Sequence, residues 1–189
     1  MSRTKNAIFE AAIQVFATSG YNGSRVDEIA AKANVAKGTL YYNFKSKEEI
    51  FNFVVENGLE IWNAKLAEIE ISNDEPIDKL KALFRMQFKL LYDNRAFFKL
   101  VISQLWGKET RQDGLRSKIK EYIEGVERIL REAMVKKQIR ECDVSLLAHS
   151  LFGSLISASL YELSIDKIID VNNVIEELTE NTLNGIVIK

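Results

Sequence analysis

Apolar residues recur every three or four positions along almost the whole chain, which is the spacing of one buried face of an α-helix. This pattern predicts about nine helices, since no stretch of alternating polar and apolar residues competes with it as a strand. The predicted fold class is therefore all-α.

The first predicted helix spans 4–18 and ends at Ser19 and Gly20. Its apolar face consists of Ile8, Ala11, Ala12, Val15 and Phe16. After a short loop, Ser24 and Asp27 form an S-x-x-D helix start, in which the Ser24 hydroxyl would cap a helix beginning near Arg25.

A sharp turn is predicted at Asn34, because asparagine tolerates the left-handed backbone conformation that ends a helix. The turn covers 34–36, and a third helix spans 37–43. Two short helices joined in this way are typical of a helix-turn-helix unit.

Side chains of the third helix have the chemistry of a DNA-binding surface. Lysine neutralises phosphate, glycine admits a close backbone approach, and threonine and tyrosine donate hydrogen bonds to phosphate or touch base edges. Another S-x-x-E start at Ser46 and Glu49 opens a fourth helix and places Lys47 near free helix N–H groups. The predicted DNA contacts are Ser24, Arg25, Lys37, Gly38, Thr39, Tyr41, Tyr42 and Lys47, while Leu40 and Phe44 face the core.

Residues 3–57 resemble the N-terminal domain of the TetR family of one-component transcriptional repressors. The residues that carry the resemblance are Ile8, Ala11, Ala12, Phe16, Gly20, Tyr21, Ile29, Ala30, Ala33, Val35, Gly38, Thr39, Leu40, Tyr41, Tyr42, Phe44, Lys47 and Ile50. Asn34 and Ala36 depart from it, since family members often have glycine and serine there. Ala36 lacks a helix cap that contributes about 1 kcal/mol.

The resemblance implies two domains: a helix-turn-helix DNA-binding domain over 1–47 and a helical effector-binding and dimerisation domain over 48–189. In the second domain, helices are predicted over about 46–68, 77–92, 96–106 and 143–163, from 115 onwards and from 170 onwards, with a polar loop over 107–114. Pro76, the one proline in the chain, suits the first turn of a helix.

The eighth helix has one flank of small residues, which lets another helix pack closely against it. The resemblance implies that helices eight and nine of two subunits form a four-helix homodimer interface, and a two-fold dimer suits a palindromic operator. The predicted interface residues are Ser150, Gly153, Ser154, Ser157, Ala158 and Leu178. The alternative is that they pack within one subunit.

Helices five to seven carry an aromatic set in the region where family members bind a small hydrophobic effector. The candidate pocket residues are Phe84, Phe88, Tyr92, Phe98, Gln104, Trp106 and Tyr122. The stretch from Phe97 to Leu105 resembles the acyl-coenzyme A responsive branch, which suggests an acyl-coenzyme A or similar effector. Alternatively, these aromatic residues belong to the core.

Charge and cysteine content favour a cytoplasmic protein. Net charge is −1, and residues 1–50 carry seven lysines and arginines against five acidic residues, a weak basic excess that fits DNA. Cys142 is the one cysteine, which excludes an intramolecular disulfide and fits a reducing compartment. The uncharged run 144–161 reaches the lower length limit of a membrane-spanning helix. Its serines and His149 favour a buried helix instead, so no membrane association is expected.

No catalytic constellation, metal site or cofactor motif is found in the sequence. His149 is predicted to be a packed core or interface residue, because no second ligand stands at metal spacing on its face. Cys142 lies between Glu141 and Asp143, which disfavour a reactive thiolate. The chain is therefore not expected to be an enzyme.

Three functions remain to be compared. The first is a homodimeric repressor that binds double-stranded operator DNA and releases it when a small-molecule effector binds. The second is a helical protein-interaction module that has lost specific DNA recognition, a possibility that rests on the missing cap at Ala36. The third, a helical enzyme, lacks a catalytic constellation.

Overall fold

The computed structural model describes residues 1–106, 111–164 and 170–184, and helices dominate these ranges. They are α1 (Arg3–Gly23), α2 (Val26–Lys32), α3 (Lys37–Asn43), α4 (Lys47–Glu70), α5 (Pro76–Asp93), α6 (Arg95–Gln104), α7 (Arg111–Val135), α8 (Val144–Ser164) and α9 (Val171–Asn184). The predicted all-α fold is confirmed.

Several predicted helix boundaries follow from backbone chemistry. Within α1, Gly20 leaves helical geometry with φ 68° and ψ 170°, at the predicted end of the first helix. The side chains of Ser46, Asp143 and Asp170 each accept a hydrogen bond from a main-chain N–H at the start of a helix, at 3.1, 3.0 and 3.1 Å. These polar residues therefore start α4, α8 and α9.

Asn34 adopts the predicted left-handed conformation, with φ 53°. The N–H of Val35 donates to the carbonyl of Ala30 at 3.0 Å, and the N–H of Asn34 donates to that of Ala31 at 3.1 Å. This pair of bonds is the Schellman ending of a helix, which satisfies carbonyls that would otherwise lack donors. Asparagine thus makes the turn between α2 and α3.

The predicted loop over 107–114 is wrong in its last four residues, which form the first turn of α7. Residues 107–110 lie outside the described part of the chain. Asp113 stands in this first turn, where a carboxylate favours the positive helix end, and it pairs with Arg116 at 2.6 Å. The polar composition marks an exposed helix surface rather than a loop.

One compact unit comprises Met1–Glu60 and the described residues of Asn94–Lys118. The predicted apolar face of α1 is buried in it, as are Leu40 and Phe44. Gly58 allows close packing, because a Cβ built there would lie 2.2 Å from Cζ of Phe97. The helix-turn-helix pair therefore rests on a closely packed support.

The other compact unit comprises the described residues of Ile61–Asp93 and Ile119–Lys189. Lys79 is buried in it, and its Nζ donates to Oε2 of Glu132 at 3.1 Å and to the carbonyl of Glu70 at 3.0 Å. Arg128 also pairs with Glu70. The end of α4 is thereby held to α5 and α7. The predicted domain boundary after residue 47 stays a prediction.

No helix in the described ranges is long and apolar enough to cross a membrane.

Candidate DNA-binding surface and effector region

The outer surface of α3 carries most of the predicted DNA contacts. Lys37, Gly38 and Thr39 are exposed, and Tyr42 is 90% exposed. Leu40 is fully buried on the opposite side of this helix. Because an exposed tyrosine contributes little to a core, this surface is available to a partner without cost to the fold.

Lys37 is held in position by the preceding helix. Its Nζ lies 2.8 Å from Oδ2 of Asp27, and both side chains are exposed. The hydrogen bond and charge of Asp27 raise the pKa of Lys37. Nζ also lies 6.0 Å from the ring centre of Tyr41. The ion pair spans the α2–α3 turn, and sequence separation alone did not indicate it.

Gly38 has open space where a side chain would begin. A Cβ built there meets no atom within 4 Å outside its local backbone. The protomer therefore does not need glycine at this position for its own packing. The close approach of DNA backbone to α3 at Gly38 stays a prediction.

Ser24 does not act as the predicted helix cap. The N-cap of α2 is Arg25, whose N–H donates to Oε2 of Glu28 at 3.3 Å. Ser24 is only 4% exposed, and its hydroxyl donates to the carbonyl of Tyr21 at 2.7 Å. Because this buried hydroxyl closes the α1–α2 connection, Ser24 does not belong to the exposed DNA-contact set. Arg25 is exposed and stays in it.

Lys47 also turns inward. Its Nζ donates to the carbonyls of Tyr21, Ser24 and Asn22 at 2.7, 3.1 and 3.4 Å. An ammonium has three protons, so these carbonyls occupy its donors. We therefore interpret Lys47 as a residue that positions the start of α2, because it would have to leave these acceptors to bind a phosphate.

Ala36 occupies the N-cap of α3 without a side-chain hydrogen bond, as its sequence predicted. The start of α3 thus lacks a stabilising cap. This position faces solvent. The missing cap affects local stability and leaves the exposed α3 side chains in place.

The predicted pocket residues differ in their environments. Phe84, Phe88, Phe98, Gln104 and Tyr122 are buried, and Tyr92 is half-buried. Trp106, however, is 76% exposed and follows the end of α6, so its place in an effector pocket stays a prediction. Gln104 accepts a hydrogen bond from Gln112 at 3.2 Å. The Tyr122 ring lies 5.5 Å from that of Trp62.

The flank of small residues on α8 is mainly exposed. Ser150, Gly153, Ser154 and Ser157 face solvent, whereas Ala158 is buried, and the side chain of Leu178 lies outside the described part. A surface groove of about 480 Å³ runs between α8 and α9, lined by Ser154, Ser157, Ala158, Tyr161, Val174, Glu177 and Asn181.

His149 is exposed, and its Nδ1 lies 2.7 Å from the carbonyl oxygen of Ser145. The prediction of a core position for His149 is therefore wrong, because it projects from the same outer face of α8 as Ser150. A place in an interface between subunits stays a prediction.

Residues 8–54 match the profile of the bacterial regulatory proteins of the tetR family. The fatty acid metabolism regulator protein of Bacillus subtilis is 32% identical over 155 residues, which are 78% of this chain and 77% of that protein. The chain belongs to the TetR family. It is a ligand-responsive transcriptional regulator with an N-terminal helix-turn-helix unit, as the sequence predicted.

Solved structures of TetR-like proteins extend the similarity over the length of the chain. A Clostridium perfringens protein, provisionally described as a fatty acid metabolism regulator, is 79% identical with a TM-score of 0.90, covering 97% of this chain and 100% of that one. The Bacillus subtilis regulator FadR, solved in complex with stearoyl-CoA, is 25% identical with a TM-score of 0.83, covering 95% and 98%.

Proposed function

We propose that this TetR-family protein is a homodimeric repressor that binds operator DNA through α3 and releases it on binding a long-chain acyl-coenzyme A. The single observation that supports the effector class most is the similarity to FadR, a protein solved with stearoyl-CoA. The regulated genes would then belong to fatty acid metabolism. A cytoplasmic location and the lack of an enzymatic activity are parts of the same proposal.

The proposed DNA contacts are the exposed residues of the helix-turn-helix unit. Tyr41, Tyr42 and Thr39 carry hydroxyl donors, Lys37 and Arg25 carry charge, and Gly38 gives backbone access. In helix-turn-helix proteins the second helix enters the major groove while other groups hold the phosphate backbone. α3 therefore supplies base and phosphate contacts in this proposal.

The proposed dimer uses the outer face of α8 and the groove it shares with α9. Its small residues suit a close approach of helices, and a Cβ built at Gly153 meets nothing within 4 Å in one protomer. Leu146 and Tyr161 are exposed large side chains on the same helix. An interface would bury apolar surface that a monomer leaves in water.

The effector must bind the DNA-free state more tightly than the DNA-bound state, because a ligand shifts an equilibrium only by its differential affinity. A coupling of about 1–3 kcal/mol would weaken operator binding roughly 5- to 150-fold. Buried side chains of α5 and α7, including Phe84, Phe88 and Tyr122, are the proposed lining.

A mobility-shift titration tests the proposal. The purified protein is mixed with DNA from upstream of its own coding sequence and with a scrambled duplex, and stearoyl-CoA or free coenzyme A is then added. We expect the protein to shift the native duplex and not the scrambled one. Stearoyl-CoA should abolish this shift, and free coenzyme A should not. Failure to shift the native duplex at low salt would favour the protein-interaction alternative. If the shift persisted in the presence of stearoyl-CoA, the proposal of a long-chain acyl-coenzyme A effector would be wrong.

The variant Tyr42→Ala separates DNA contact from folding. It should weaken operator binding while the thermal unfolding midpoint is unchanged, because the ring is almost fully exposed. Ile71→Ala, which alters an exposed apolar residue of the other compact unit, is the matched control and should bind as the unmodified protein does.

A further inference from the structure

A buried hydroxyl without a hydrogen-bond partner lies at Tyr122 in α7. The side chain is 3% exposed, and its Oη has no partner among the described residues. Buried hydroxyl groups are usually hydrogen-bonded, because an unpaired one loses its bonds to water without replacement. An unpaired group in a folded protein therefore requires an explanation.

Two aromatic side chains pack near this phenol. The ring centre of Trp62, in α4, lies 5.5 Å away, and that of Phe152, in α8, lies 6.1 Å away. Burial raises the pKa of Tyr122 well above its usual range. The phenol thus offers a hydrogen-bond donor in an apolar environment.

Among the described residues, the hydroxyl of Thr179 in α9 is also buried without a partner, but the geometry of a tyrosine makes the Tyr122 hydroxyl the more informative of the two. A threonine hydroxyl can rotate about χ1 towards a carbonyl of its own helix. The oxygen of Tyr122 stands at the far end of a rigid ring whose neighbours are other rings. It cannot reach its own main chain, so its partner must come from elsewhere.

We propose that the Tyr122 hydroxyl donates a hydrogen bond to the acyl carbonyl oxygen of the effector. This inference rests on the proposed function, in which the effector is a long-chain acyl thioester. A saturated acyl chain carries no polar atom beyond its carbonyl. When the chain enters an apolar site, the carbonyl oxygen is therefore the hydrogen-bond acceptor that it brings. Apolar ligand sites use such single polar groups to fix orientation.

The position of Trp62 connects this bond to regulation. Trp62 belongs to α4, the helix whose first residues follow the DNA-binding pair and whose later residues pack in the same unit as Tyr122. A carbonyl bound at Tyr122 fixes the ring against which Trp62 packs. The residue that binds the effector carbonyl, Tyr122, is therefore in direct contact with α4.

The test compares the unmodified protein with Tyr122→Phe, using stearoyl-CoA and S-octadecyl-CoA as probes. The second probe is a thioether that keeps the chain and coenzyme but lacks the carbonyl oxygen. Tyr122→Phe should bind stearoyl-CoA about three- to tenfold more weakly, as expected for one lost hydrogen bond. Both proteins should bind S-octadecyl-CoA with equal affinity.

A further measurement and a control variant distinguish this bond from a packing effect. Without effector, Tyr122→Phe should unfold at the same or a higher temperature, because the substitution removes an unpaired buried hydroxyl and keeps the ring. Ile71→Ala, which alters an exposed apolar residue just after α4, is the control and should bind both probes normally.

Each failure has its own signature. Equal affinity of both proteins for stearoyl-CoA overturns the role of Tyr122 and leaves the proposed function standing. Equal weakening for both probes also overturns it, since the lost bond would not be to the carbonyl. If the unmodified protein does not bind stearoyl-CoA, the proposed effector class and this inference both fail.

Discussion

The Nζ of Lys47 donates to the carbonyl of Tyr21 at 2.7 Å and lies 4.6 Å from the centre of its ring. The first residue of α4 is thus bonded to the last part of α1. The ring of Tyr21 packs in turn against Phe16 and Phe51. The connection that leads into the helix-turn-helix unit is fixed by one ammonium and one aromatic cluster.

Lys47→Met should therefore lower the free energy of unfolding by about 1–2 kcal/mol, since hydrogen bonds from a charged donor are lost at a half-buried site. The slope of log binding constant against log salt concentration should stay unchanged, because no phosphate contact is removed. Chemical denaturation and a salt titration of operator binding measure the two effects. Lys45→Met, at an exposed neighbouring lysine, should change stability by less than about 0.5 kcal/mol. If the salt slope of Lys47→Met were smaller by about one, Lys47 would contact a phosphate after all.

Gly38→Ala and Gly58→Ala should have opposite effects on stability. At Gly38 the added methyl group has open space, and the gain in helix propensity should stabilise the protein by up to about 1 kcal/mol. At Gly58 it meets Phe97, and the steric conflict should destabilise the protein by about 1–3 kcal/mol. Thermal unfolding of both variants checks this contrast.

Operator binding completes this comparison. Gly38→Ala should weaken it about tenfold despite the higher stability, because the methyl group separates α3 from the DNA backbone, at a cost of about 1.4 kcal/mol. Full affinity in this variant would mean that DNA does not approach α3 closely at Gly38.

Asp27→Asn should strengthen operator binding at low salt by up to about fivefold. Asp27 competes with phosphate for Lys37, and an exposed ion pair contributes at most about 1 kcal/mol. Binding measured at two salt concentrations should show the gain disappearing at high salt.

Asp78→Asn provides the control, because Asp78 forms a comparable exposed pair with Lys81 at 3.2 Å within α5. Its operator affinity should match that of the unmodified protein. Weaker binding by Asp27→Asn would indicate that the pair with Asp27 orients Lys37 for DNA.

Gly153→Leu should convert the proposed dimer into monomers without unfolding the protein. One protomer has open space where the new side chain begins, whereas a partner helix packed on this flank of α8 would collide with it. Sedimentation equilibrium and circular dichroism measure association and helix content. Gly114→Leu alters another exposed helical glycine with open space and should remain dimeric. A dimeric Gly153→Leu would place the interface elsewhere.

Acid should remove the stabilisation that Glu132 provides. The hydrogen bond from Lys79 lowers the pKa of Glu132, and Lys136 adds to this. A lowered carboxyl pKa in the folded state gives stability that is complete above the unfolded value of about 4.3 and is lost as pH falls through the folded value. Unfolding measured from pH 7 to pH 3 should show Glu132→Gln less stable by about 1 kcal/mol or less near neutrality.

The difference between the two proteins should shrink below about pH 4, as the native carboxylate becomes protonated. In a Lys79→Met background, the Glu132→Gln substitution should have a smaller effect, since its main partner is absent. A difference that stays constant down to pH 3 would show that the charge of Glu132 does not stabilise the fold.

Local sequence patterns were sufficient for the helices. The apolar spacing on α1, the polar starts at Ser46, Asp143 and Asp170, and the left-handed turn at Asn34 depend on residues within a few positions of one another. Steric and hydrogen-bonding preferences at this range are properties of the chain itself. The start of α7 was misplaced because polar composition does not distinguish a loop from an exposed helix.

Side-chain partners were decided by the tertiary structure. The sequence determined that Lys47 is a polar residue at a helix start, but only packing turned its ammonium towards the carbonyls at the end of α1. In the same way, it placed an aromatic set in α5 to α7, while burial separated exposed Trp106 from enclosed Tyr122. Whether a polar group faces solvent, main chain or another ring depends on segments distant in sequence, and these meet only in the folded protein.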